Sequence, residues 1–373
     1  MRTIPGQKNQ DIQCLRAIAI IVVMAQHFRG RLPSPRAYLE AFHYVQFWTG
    51  VDIFFAISGF LVCKTFLAGL EGAGSRQEAF IDFWIRRAIR LLPALYFWLA
   101  VSVAVSGLLS TIAYHELGKV LVSALSAVLA VSNLYWAHCV QTDIQSCGNA
   151  DFNGVTWSLS LEWQLYAILA CTLFIGGRRA ALFILLILSA LLSFYPLEIF
   201  SYPWAFRPLA FTLGVIVYLA IERVPSLAET ISYGTCRFLL LVGLALCLAG
   251  PVFVPIRAGL LVIGLGAVLC LISSLKGNSY SVSPFARPLI WVGERSYSIY
   301  LCHLLCILIT HQLIETYGYL SITAGHVVLS IAIFIAMTLV LSDLSYRLIE
   351  QRLGILFHRN YAKSTRRRRP QLQ

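Results

Sequence analysis

The chain has 373 residues, 58% of them hydrophobic and 12% charged, with a mean hydropathy of +0.75 and a net charge of +12. An average soluble domain carries about 25% charged residues, so this composition excludes a disordered chain and leaves too little polar surface to coat a soluble globule. The class that remains is an all-α polytopic membrane protein, in which the placement of the basic residues sets orientation.

A bilayer-crossing helix needs about 20 mostly apolar residues. Candidate spans fall, in chain order, at 12–28, 50–70, 92–111, 157–175, 180–197, 204–221, 236–252, 256–275, 294–314 and 320–345. The first follows Arg2 and Lys8 and so imitates a signal peptide. No small-x-small cleavage site follows its apolar core, which runs into Gln26, His27, Phe28 and Arg29, and it reads as a retained helix.

A further apolar stretch, 119–137, has the length of an eleventh span. With ten spans and a cytoplasmic N-terminus, the inner segments collect Arg76, Arg86, Arg87, Arg90, Arg178, Arg179, Arg223, Lys276 and Arg287. They also take the tail, with its run Arg366 to Arg369, while few basic residues fall outside. An eleventh span would strand that tail outside, against the positive-inside bias. The stretch 119–137 is therefore predicted as a re-entrant or interfacial helix in an outer loop. Residues 1–352 form one membrane-embedded domain, and 353–373 a basic cytoplasmic tail that faces lipid headgroups rather than nucleic acid. Of the ten cysteines, eight lie in or beside apolar runs. Only Cys139 and Cys147 share a polar stretch, and in an oxidising compartment they can pair.

Ionisable groups at membrane depth are costly and are functional candidates by default. Arg16 and His27 stand on the first helix, eleven residues and so about 16 Å apart, close to one face. That spacing suits a protein working on both sides of a bilayer; the bland reading is a snorkelling arginine and a helix-ending histidine. Asp52 opens the second span, where it can orient a histidine or pair with an arginine, while Ser58-Gly59 suits close helix packing. Arg86, Arg87 and Arg90 at a cytoplasmic helix entrance fit a topology stop, and guanidinium groups also fit a phosphate clamp. Glu162 enters the bilayer flanked by Trp157, Trp163 and Tyr166, rings that suit either an interfacial belt or stacking against sugar faces. His303 lies mid-span with Tyr300 one turn before it, and Arg347 and Glu350 are spaced to pair with each other.

In this order, six pieces resemble the acyltransferase-3 family of bacterial membrane O-acyltransferases, over roughly residues 9–352. They are Asp11 to Ala19 ending at His27, Gly50 to Phe60, Arg86 to Pro93, Trp157 to Tyr166, Ser296 to Leu301 with His303, and Ser345 to Glu350. The resemblance implies a ten-helix core in the bacterial inner membrane, with an arginine–histidine pair at Arg16 and His27. It implies a second pair, Arg87 and Arg90, that holds the phosphates of an acyl-CoA donor, most simply acetyl-CoA. The acceptor it implies is a carbohydrate or glycolipid, such as lipopolysaccharide O-antigen or exopolysaccharide. The chain departs from the family pattern at Trp163, where a second acid is common, and at Gln351-Arg352, where a proline often follows. Many relatives carry a C-terminal esterase-like domain, so the expectation is transfer by this chain alone or with a separate periplasmic protein.

On this reading His27 is the general base or a transient acyl carrier. Asp52 or Glu162 holds its tautomer, and Arg16 steadies the thioester. The acceptor approaches over Trp157, Trp163 and Tyr166, with His303 and Glu350 also on the substrate path. No metal is called for. The alternative class is a transporter or flippase using Arg16, Asp52 and His303 as relay groups, but the paired repeats common in transporters are not visible.

Overall fold

The computed structural model describes residues 9–108, 117–143, 147–195, 198, 200–318 and 323–356, and among them every regular element is helical. Most of the basic tail, from 357, lies outside the described residues. The main helices are α1 (Gln10–Phe28), α2 (Gly50–Gly72), α3 (Arg76–Leu108), α4 (Leu117–Val128), α5 (Ser132–Thr142) and α6 (Thr156–Ser193). They continue as α7 (Leu209–Arg223), α8 (Tyr233–Leu248), α9 (Gly259–Leu275), α10 (Ser296–Thr316) and α11 (Ala324–Ser345). Among the described residues, seven helices are long and apolar enough to cross a membrane, and α4, α8 and α9 are shorter apolar helices. The predicted spans 157–175 and 180–197 are the two limbs of α6, broken at Gly177, whose φ of 73° only glycine adopts cheaply. The predicted span 92–111 starts earlier, at Arg76, so Arg86, Arg87 and Arg90 lie within a helix rather than at its mouth.

Residues 119–137 do not form one helix. The chain turns between α4 and α5, with Ala130 at positive φ, and neither piece is long enough to cross a bilayer. Buried polar bonds stitch the pair to α6. Ser132 N–H donates to Ser160 Oγ at 3.1 Å, and Gln164 donates to the carbonyl of Ala130 at 2.8 Å and to Asn133 at 2.9 Å. Such bonds fix a backbone that a lipid-facing span would have no use for. Cys139 and Cys147 form a disulfide, closing the loop after α5.

α1 is the spine of the bundle. Its N-terminus is capped by Asn9, which accepts from the N–H groups of Asp11 and Ile12. The Asp11 carboxylate in turn accepts from the N–H groups of Ser279 and Ser281, at 2.7 and 3.0 Å. From there α1 packs against α2, α9, α10 and the short helix Ala286–Glu294. α2 crosses α7 at van der Waals distance because both present glycine. A Cβ on Gly59 would lie 2.1 Å from the carbonyl oxygen of Phe211, and one on Gly214 would lie 2.1 Å from that of Ala56. Small residues let helix backbones approach where lipid offers no competing solvent.

Gly59→Ala is therefore expected to lower the thermal midpoint of the detergent-solubilised protein, by about 1–3 kcal/mol of overpacking. Gly69→Ala, whose Cβ meets open space, is expected to leave it unchanged.

Candidate active site

The two polar ends of α1 each gather a cluster. At the C-terminal end, His303 on α10 is fully buried, and its Nδ1 lies 2.9 Å from the carbonyl oxygen of Tyr300 and 3.1 Å from that of Ile299. Carbonyls only accept, so Nδ1 carries the proton and Nε2 keeps its lone pair. That Nε2 lies 3.0 Å from Nδ1 of His27. Between two neutral rings the His27 nitrogen must then donate, which leaves the lone pair of His27 on Nε2, assigned from the network. Arg31 steadies the helix end by donating to the carbonyl of His27 at 3.0 Å while bound to Asp151 at 2.6 Å. The phenol of Tyr38, which is pushed up to about 12 chiefly by its burial, donates to the carbonyl of Ala25.

This wiring replaces the predicted one. Of the two readings of Asp52, the pairing with an arginine holds and the orienting of His27 does not: both its oxygens bind Arg207, Nε at 3.0 Å and Nη2 at 3.2 Å. The guanidinium is boxed by the rings of Trp204, Trp157, Trp48 and Phe55, the nearest centroid at 4.1 Å. Trp157 is thus buried as a wall of that box and offers no face to an acceptor. Glu162 does not reach His27 either. It accepts from Ser58 at 2.7 Å and from Tyr166 at 2.9 Å, so Tyr166 points inward as a hydrogen-bond donor rather than outward as a stacking platform. Trp163 stacks on Trp84 at 5.7 Å. His303, predicted on the substrate path, has both ring nitrogens engaged and serves His27 instead.

At the other end, Arg16 donates from Nε to Ser296 Oγ at 3.1 Å. A cavity of about 90 Å³ between α1, α2, α3, α6 and α10 is lined there by Arg16, Arg87, Arg90 and Glu162. Arg87 donates to Thr65 at 3.2 Å and lies 5.3 Å from the Tyr166 ring centroid. Glu350 does not pair with Arg347, which binds Asp343 at 2.8 Å. The last helix loosens into a π-helical turn over Tyr346–Gln351, and Glu350 accepts from Ser298. It lines clefts shared with Arg90 and Arg16. Phe54, Ser158 and Tyr300 line the same cavity. Tyr300 bonds Ser158 at 2.6 Å, and its ring centroid is 5.7 Å from that of His303. Tyr300 thus separates the arginine-lined cavity from the histidine pair.

Sequence reasoning found both ends of α1 but missed Arg207, Asp151 and the hydroxyl partners Ser58, Ser296 and Ser298. It also placed His303 without seeing what it touches. These contacts join residues far apart in the chain and leave no local spacing to read.

A family model described as an acyltransferase domain, that of the acyltransferase-3 family, matches residues 9–347. YrhL of Bacillus subtilis, provisionally named a peptidoglycan O-acetyltransferase, is 27% identical across 97% of this chain and 56% of its own length. The peptidoglycan O-acetyltransferase OatA of Listeria monocytogenes is 27% identical across 91% of this chain and 55% of its own. The chain thus spans about half the length of these relatives. No solved structure matches it.

Removing one partner of a buried ion pair strands the other, at about 3–5 kcal/mol. Arg207→Met is therefore expected to destabilise the protein strongly, and adding Asp52→Asn to recover much of the loss. Thermal unfolding of the single and double variants measures both.

Proposed function

The chain belongs to the acyltransferase-3 family, and from that premise we propose that it is a membrane O-acetyltransferase. It moves an acetyl group from cytoplasmic acetyl-CoA to a hydroxyl of a glycan on the far side of the bacterial inner membrane. The acceptor class is an O-antigen, an exopolysaccharide or, as the names of the relatives suggest, peptidoglycan. The observation that carries this reading is the His303–His27 hydrogen bond, which turns a basic nitrogen loose at one end of α1 while guanidinium groups gather at the other.

In the proposed reaction, Arg87 and Arg90 hold the donor phosphates by charge-assisted bonds. The pantetheine arm enters the cavity beside Arg16. The acceptor hydroxyl meets the thioester on the His27 side of Tyr300, where the cavity and the histidine pair adjoin. Nε2 of His27 takes the hydroxyl proton as the oxygen bonds to the acetyl carbon. The carbon–sulfur bond then breaks, and the CoA thiolate leaves and recovers a proton from His27. His303 keeps the working tautomer, since its own protonated Nδ1 is held by two carbonyls. Both termini are cytoplasmic in this arrangement, which puts the Arg16 end at the donor pool.

Transfer from labelled acetyl-CoA in membranes containing inserted variants tests the reading. His27→Ala is expected to lower turnover by at least about 100-fold, and His303→Ala to lower kcat by about 10-fold or more with little change in the KM for acetyl-CoA. Arg87→Ala with Arg90→Ala is expected to raise that KM. Full turnover by the His27 variant overturns the assignment.

A further inference from the structure

Two clefts open at the Arg16 end of the bundle, and their charges differ. The larger, about 950 Å³, lies between the end of α2 and the start of α3. Its arginines, Arg86, Arg87 and Arg90, are matched by Glu78, Asp82 and Glu350, and Arg86 is already bound to Asp82 at 3.0 Å. The second, about 760 Å³, lies between α1, α2 and the turn after α9. There Arg16, Lys64, Arg90 and Lys276 face only Glu294 and Glu350. Glu294 is further offset by Arg295, 3.7 Å away and outside the cleft lining.

Two of the lysines in the second cleft are held differently, one spent on the protein and one free for a ligand. Lys276 donates from Nζ to the carbonyls of Glu229, at 3.0 Å, and Ile231, and sits 4.7 Å from the Tyr233 ring centroid. Carbonyls and a ring face fix the ammonium without cancelling its charge. Lys64 is exposed on α2 and makes no ion pair among the described residues. A concave surface with excess charge of one sign concentrates ligands of the opposite sign.

We infer that this second cleft binds the ribose-phosphate end of the CoA donor, with Lys64 as the residue that donates to the phosphate monoester and Lys276 adding positive charge beside it. The inference rests on the acetyl-CoA reading above. Arg90 lines both clefts and the cavity. A pyrophosphate on Arg90 therefore leads the pantetheine arm inward, while the ribose phosphate lies back over Lys64 and Lys276. The first cleft, with a carboxylate for each guanidinium, has no surplus charge to hold a dianionic monoester.

Acetyl transfer kinetics with two donors, acetyl-CoA and acetyl-dephospho-CoA, test the assignment, the second donor lacking only the ribose phosphate. Lys64→Ala is expected to raise the KM for acetyl-CoA by about tenfold or more, the size of one hydrogen bond to a charged group. Its kcat should stay within about twofold, as expected when a binding interaction is removed equally from ground and transition states. The KM for acetyl-dephospho-CoA is expected not to move, and Lys64→Arg to restore most of the loss. Glu78→Gln, which removes a negative charge from the first cleft, is expected to leave both values unchanged. An unchanged KM in Lys64→Ala, an equal rise for both donors, or a fall in KM for Glu78→Gln would each overturn the assignment. Absence of transfer from either donor by the wild-type protein would instead overturn the acetyl-CoA reading on which it rests.

Discussion

A polar atom carried into a membrane interior keeps its place only if something pairs with it, because lipid supplies no hydrogen bonds. The ionisable groups of this chain meet that demand in two ways. Asp52 and Arg207 close on each other completely: two parallel bonds, a carbonyl for a third guanidinium nitrogen, and four aromatic rings around the rest. Nothing of that pair is left over for a substrate. The histidine pair is satisfied in sequence, from carbonyl to His303 to His27, and each step uses up one nitrogen until a lone pair remains on the last. Arg16 spends one nitrogen on Ser296 and leaves the remainder of its guanidinium facing a cavity. Unspent hydrogen-bonding capacity, rather than charge as such, separates the groups proposed to work from the structural ones.

The single helix α1 relates the two groups proposed to work, Arg16 and His27. Its eleven-residue separation places a guanidinium and an imidazole about 16 Å apart with their side chains toward one interior. That distance is roughly half the hydrocarbon thickness. A donor and an acceptor held on opposite faces of the bilayer can therefore each contact one end of the same rigid rod. Tyr300, between the arginine-lined cavity and the histidines, marks where the two halves meet. The helix is held at both ends, by Asp11 on the Ser279–Ser281 turn and by Arg31 on its last carbonyls.

Much of the fold was legible because apolar run length is a strong signal. Among the described residues each predicted span falls largely on helix, and 119–137, which the distribution of basic residues read as not crossing, folds as two short helices. The two spans read at 157–175 and 180–197 answer to the two limbs of α6, which part at Gly177, where positive φ breaks the helix. The candidate site was legible as a set of residues and much less as a set of contacts. Arg16 and His27 share a helix, so their relation follows from helical geometry. Asp52, Glu162 and Trp157 were assigned by chemistry alone, and their partners come from helices far along the chain. A carboxylate near an imidazole in rank order need not touch it, and here a second histidine 276 positions away does.

In the proposed mechanism His303 fixes the tautomer of His27 and leaves its Nε2 with a free lone pair. Nitrogen NMR of ¹⁵N-histidine-labelled protein in lipid bilayers at neutral pH, assigned with His27→Gln and His303→Gln, reads that state directly. The account expects His27 protonated on Nδ1 with a bare Nε2, an inter-histidine coupling to His303, and loss of that tautomer preference in His303→Gln. A His27 ring protonated on Nε2 in the wild-type protein, or one unaffected by His303→Gln, would contradict it.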